Sequence, residues 1–145
     1  PRMGMAHVIP EQLKKAFDAQ PGDSVLVNSP EHRRAFCYVD DAVEMLGRMA
    51  ANENCEGVTL NLGTQTPEVT IREVVQTCVE VSRKTLSLEE LPPTKGSPER
   101  RAPDMKEANR LLGFESQVNL RCGIEKTWNW YCNNCNMRNY CIFFN

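Results

Sequence analysis

The chain has 145 residues, 41% of them hydrophobic and 25% charged, with a formal net charge of −2. That is the composition of one ordinary globular domain, and it lacks the strongly basic field that would favour nucleic acid or an anionic membrane. No apolar run approaches the ~20 residues of a membrane helix, and Pro1–Pro10 lacks the apolar core of a secretory signal.

The pattern predicts a first helix over residues 7–20. Pro10 suits its opening turn, where a missing N–H leaves nothing unpaired, and Leu13, Ala16 and Phe17 share one face. Pro21-Gly22-Asp23 stops it. Ser24–Asn28 reads as a strand with Val25 and Val27 on one side, broken by Asn28-Ser29-Pro30. Arg34–Val39 is a second extended stretch. Asp41 is placed to N-cap a helix over Ala42–Ala51, with Val43, Leu46 and Ala50 inward. Gly57–Leu62 is the third strand. Thr70-Ile71-Arg72-Glu73 is a capping box, and the helix it opens carries Ile71, Val74, Val75, Cys78 and Val81 on one face. Thr85–Pro103, with four prolines, reads as an open stretch of the functional or disordered kind. Asp104-Met105-Lys106-Glu107 repeats the cap signature, and Gly113 ends that helix where positive φ is needed. Leu120, Ile124, Trp128 and Tyr131 define a last amphipathic helix. The sum is about five helices and three short strands, an α/β chain that is mainly helical. Strands so few and scattered are expected to pair with something outside the chain.

Most catalytic and metal chemistries find no purchase. No glycine-rich G-x-G-x-x-G turn occurs, and no tyrosine is followed four positions later by lysine. His7 and His32 lie far apart, and His32, beside a basic pair, reads as a solvated loop residue. Cys132-x-x-Cys135 has metal or redox spacing but no second pair. Asp40-Asp41 reads as a cap rather than a carboxylate dyad. Seven cysteines is an odd number, and Cys37, Cys55, Cys78 and Cys122 sit singly in patterned segments, as reduced thiols of a cytoplasmic protein would. Two arginine pairs remain, Arg33-Arg34 before an extended stretch and Arg100-Arg101 before a helix cap. Guanidinium forks match phosphate oxygens in pairs. Surface ion pairing is the alternative for each.

Several runs resemble one family in order and spacing. Arg34-Ala35-Phe36-Cys37-Tyr38-Val39-Asp40-Asp41-Ala42 is similar to the R-x-F-x-Y-V-x-D-x-A segment of extended short-chain dehydrogenases/reductases, the NAD-dependent nucleotide-sugar epimerases, dehydratases and decarboxylases. Val8-Ile9-Pro10, Asn61-Leu62-Gly63, Val69–Glu73, Arg100–Asp104, Leu111–Phe114 and Gly123–Tyr131 resemble further motifs of that family, over residues 1–131. Pro1-Arg2 resembles the end of its N-x-Y-G-P-R segment. The resemblance implies a C-terminal substrate domain with the Rossmann core absent. The NAD or NADP site and the catalytic Tyr/Lys pair would lie in that missing part, so this chain would carry no catalytic residue, cofactor or metal site of its own.

The resemblance also implies roles. Arg34 and Arg101 would hold the diphosphate of a UDP- or dTDP-sugar. Val25 and Val27 would line the base pocket, and Val8, Ile9 and Pro10 the wall near the nucleotide. Asn61 would form a turn. Two departures stand out. Val27-Asn28-Ser29-Pro30 replaces an aromatic-glycine run, with Asn28 able to adopt the left-handed conformation. Residues 132–145 have no counterpart and form an atypical Cys/Asn-rich tail. The expected function is nucleotide-sugar binding within carbohydrate metabolism, without turnover by the isolated chain. The expected partner is a second copy or the missing Rossmann half. The alternative is a self-associating, non-catalytic interaction module.

Overall fold

A computed structural model describes residues 7–134. Its organising element is α3 (Ile71–Ser82), which opens with the full capping box: Thr70 Oγ1 accepts from Glu73 N at 3.1 Å, and Thr70 N donates back to the Glu73 carboxylate at 2.6 Å. Its apolar residues recur in two rows. Val74, Cys78 and Val81 pack with Leu13 of α1 (Val8–Asp18) and Ile124 of α5 (Leu120–Asn134). Ile71, Val75 and Val79 pack with Val25 and Val27 of β1 (Ser24–Asn28). A helix apolar on two sides must lie between layers. Here one layer is helical and the other is a parallel pair, β1 with β4 (Ser87–Leu91). Burial at this centre pushes the Cys78 thiol up to about 12.

A second, smaller core joins α2 (Val39–Ala51) to α4 (Lys106–Leu112) through Met45, Met105, Ala108 and Leu112, with Leu60 and Leu62 against it. Gly113 ends α4 at φ 58°, as its position implies. Asp41 does not cap α2, which begins two residues earlier after Tyr38. Its carboxylate is buried, and Oδ2 accepts from the backbone N–H groups of Gln117 and Val118 at 3.1 and 3.0 Å. The next residue, Asn119, caps α5 by accepting from Cys122 N at 2.9 Å. Nor do Val43 and Leu46 face inward: they are 60% and 53% exposed, while Met45 on the opposite side is buried.

The strands also depart from expectation. They pair with one another rather than only with something absent: beside β1–β4 stands a three-stranded set in which β2 (Arg33–Arg34) lies between β3 (Val69–Thr70) and β5 (Arg100–Arg101). Gly57–Leu62 forms no strand, and the stretch from Thr85 to Pro103 supplies two. The left-handed residue after β1 is Ser29, at φ 54°, not Asn28. The 131/132 boundary of the expected tail falls inside α5, and residues 135–145, with Cys135, lie outside the described residues. No described helix is long and apolar enough to cross a membrane.

Candidate functional site

The three-stranded set brings the two arginine pairs together. β2 and β5 run parallel with Arg33 opposite Arg100 and Arg34 opposite Arg101. Neighbours in register point to the same side of a sheet, and successive residues to opposite sides. Arg34 and Arg101 therefore share one side, and both line a cleft of about 660 Å³. Arg100 turns elsewhere, its Nε donating to Glu68 Oε2 at 2.7 Å.

The two cleft arginines differ in what holds them. Arg34 is half-buried and anchored to the loop before β5. Its Nη2 donates to the Pro98 carbonyl at 2.8 Å and to Ser97 Oγ at 3.2 Å, and its Nη1 donates to the Arg33 carbonyl at 2.7 Å. Nη1 also donates to the Glu99 carbonyl at 3.4 Å, which leaves Nε–H as its one donor without an acceptor among the described residues. Arg101 is exposed and its side chain, among the described residues, makes no hydrogen bond or ion pair. Burial, and then the Arg101 charge, hold the Arg34 guanidinium below its ordinary value. Two like charges on one wall are relieved by a divalent or bridging anion.

The facing wall is the first turn of α1, where Val8, Ile9, Pro10 and Gln12 line the cleft. Val8, Ile9 and Pro10 give this wall an apolar strip, flanked by His7, Glu11 and Gln12, and Glu11 pairs with Lys15 Nζ at 2.6 Å. Val25 and Val27, expected to line a base pocket, do not reach the cleft. They are 2% and 0% exposed and packed on α3. The end of their strand does reach it, through Asn28 and Ser29. His32 is not solvated but 5% exposed, with Nδ1 3.4 Å from Ser97 Oγ, and it lines the same cleft. Gln12 and His32 escaped the sequence reading. For Gln12 a signal was available, since it falls at helical spacing on the apolar face of Ile9 and Ala16.

No described group of three or more His, Cys, Asp or Glu residues could hold a metal ion. A dinucleotide is seated by a strand, a glycine turn and a helix N-terminus. The described glycines follow helices (Gly22, Gly113) or the short 3-10 turn (Gly57), lie within helices (Gly47, Gly123), or stand in coil (Gly63, Gly96). β3 enters α3 directly through Thr70. The described residues do not fit a dinucleotide.

No protein-family model matches the chain. It is 33% identical over 104 residues to UDP-glucuronic acid decarboxylase 6 of Arabidopsis thaliana, covering 71% of this chain and 29% of the relative. To UDP-glucuronic acid decarboxylase 1 of Danio rerio it is 34% identical over 116 residues, covering 79% and 27%. The chain thus spans less than a third of the length of these relatives. Among solved structures, an epimerase from Methanothermobacter thermautotrophicus superposes with a TM-score of 0.82 at 26% identity, over 94% of this chain and 40% of that one. UDP-glucuronic acid 4-epimerase of Bacillus cereus, solved with UDP-glucuronic acid and NAD, shares the fold with a TM-score of 0.75 at 19% identity, over 89% and 40%. The ordered series of motifs, the curated relatives and the shared fold agree: the chain belongs to the extended short-chain dehydrogenases/reductases and corresponds to the C-terminal part of their nucleotide-sugar epimerases and decarboxylases.

Proposed function

We propose that this chain binds the diphosphate of a UDP- or dTDP-sugar in the cleft between α1 and the arginine strands. It would do so as the substrate domain, residues 1–131, of an NAD-dependent epimerase, dehydratase or decarboxylase. The observation that carries this reading is the register of β2 and β5, which sets Arg34 and Arg101 side by side on one wall. Val8, Ile9 and Pro10 on the α1 side of the cleft suit the uncharged part of such a ligand. The described residues carry no dinucleotide seat, so the chain alone binds without turnover. A cytoplasmic setting accords with five described cysteines that are all unpaired.

Calorimetric titration with UDP-glucose and a dTDP-sugar tests the reading. Each hydrogen bond to charge contributes on the order of 1.5–3 kcal/mol, so Arg101→Ala is expected to weaken binding by about tenfold or more. Arg34→Ala is expected to weaken it at least as much, because it also frees the loop at 97–99. Raising the salt concentration should weaken binding in the wild type and less in either variant. Affinity indifferent to both substitutions would rule the site out.

A second reading rests on α2. Val39, Val43 and Leu46 fall at helical spacing and are 59%, 60% and 53% exposed. Such a stripe suits a chain that self-associates, as a non-catalytic module would. On this reading sedimentation velocity shows a concentration-dependent dimer that Val43→Glu abolishes. A monomer throughout rejects it.

A further inference from the structure

The described residues include four buried polar side chains, Gln12, Ser29, His32 and Asp41, and three of them line the cleft. Most have partners. Ser29 Oγ accepts from Thr94 N at 2.9 Å, His32 Nδ1 lies 3.4 Å from Ser97 Oγ, and Asp41 accepts two backbone N–H groups. Gln12 is the exception. It is 4% exposed, and its Oε1 has no hydrogen-bond partner among the described residues.

A buried carbonyl oxygen that no protein donor answers costs stability until a ligand or a water supplies one. Position 12 adjoins the face of Ile9, Leu13 and Ala16, where an apolar side chain of similar volume would fit without an orphaned atom. The arginines across the cleft have only donors to offer, so they answer an anion and cannot recognise a neutral donor on the same ligand. Gln12 lines the same cleft and carries an unpaired acceptor shielded from solvent, where a hydrogen bond discriminates most strongly. A ligand without the matching donor leaves that oxygen desolvated and unpaired.

We infer that Gln12 is a specificity-determining residue of this cleft: its Oε1 accepts a hydrogen bond from a neutral donor, a sugar hydroxyl or a base N–H, on the ligand whose phosphates face Arg34 and Arg101. This rests on the phosphate reading above. The contact answers the orphaned acceptor and gives the cleft a way to distinguish a nucleotide-sugar from a bare diphosphate.

The test is calorimetric titration of the whole chain with inorganic pyrophosphate, UDP and UDP-glucose, in the wild type and in Gln12→Met. Pyrophosphate affinity is expected to stay unchanged in the variant, while UDP-glucose affinity falls roughly five- to tenfold. A loss already present with UDP places the donor on the nucleoside, and a loss confined to UDP-glucose places it on the hexose. The ligand-free variant should melt at or above the wild-type temperature, since the substitution removes an unpaired buried group. Unchanged UDP and UDP-glucose affinities, with pyrophosphate still bound, overturn the role of Gln12 alone. So does a variant that melts well below the wild type, which makes the amide structural. Failure of the wild type to bind any of the three overturns the phosphate reading and the Gln12 contact with it.

Discussion

Asp41→Ala is expected to lower the unfolding free energy by about 3–4 kcal/mol, with urea denaturation as the measurement. The carboxylate is 4% exposed, and Oδ2 takes two backbone donors, Gln117 N and Val118 N, from 76 and 77 positions away. Hydrogen bonds to a charged group are worth more than neutral ones, and removing the acceptor leaves two N–H groups unanswered. Asp41→Asn keeps an acceptor but not the charge, and should lose about half as much. The effect should be global, because Asp41 ties α2 to the segment that leads into α5. A role confined to capping α2 makes a different forecast: a loss of about 1 kcal/mol, felt in the first turn of one helix. A measured loss of that smaller size would reject the long-range tie.

The same residue shows how far the sequence could be read. Aspartate before an apolar-periodic run signals an N-cap, and that rule looks only at near neighbours. α2 begins instead at Val39, so Asp41 lies inside the helix and serves a loop that no local pattern could reveal. The buried face of α2 also differs from the one expected, with Asp41 and Met45 inward and Val43 and Leu46 exposed. The start of α3 and most of its apolar residues were legible because the capping box and the helical spacing are local, but the reading put them on one face, whereas they form two rows, the second including Val79. Gly113 was legible because the left-handed position after a helix favours glycine. The arginine strands were not, since a two-residue strand has no period to detect and exists only through its neighbours. The resemblance selected Arg34 and Arg101, but their adjacency comes from the register of β2 and β5. Val25 and Val27 were read correctly as sharing one side of a strand, yet that side faces α3 rather than the cleft. Position 12 carried a usable signal, a polar residue on an apolar helical face, which only the burial made chemically meaningful.

Leu13→Ala is expected to destabilise the fold by about 4–5 kcal/mol, in the upper part of the range for a leucine removed from a packed core. Leu13 is 0% exposed and packs with Val74, Cys78, Val81 and Ile124, so one side chain joins α1, α3 and α5. The row of α3 it meets cannot slide to fill the space, because the other row is fixed against Val25 and Val27. The cavity therefore persists, which moves the effect toward the upper part of the range. A domain of this size holds only about 5–15 kcal/mol in total, so the variant should unfold at markedly lower urea with little change in slope. Leu26→Ala is the control. Leu26 lies between Val25 and Val27 but points outward at 41% exposure, and its loss should stay within about 0.5 kcal/mol. The two leucines also separate stability from binding. Leu13 anchors the helix whose first turn walls the cleft, whereas β1 presents Leu26 to the opposite side. Below its melting range Leu13→Ala should bind UDP-glucose more weakly than wild type, and Leu26→Ala should match it. Equal stabilities for the two variants would mean that α1 does not rest on α3 through Leu13, and the wall of the cleft would then need a different support.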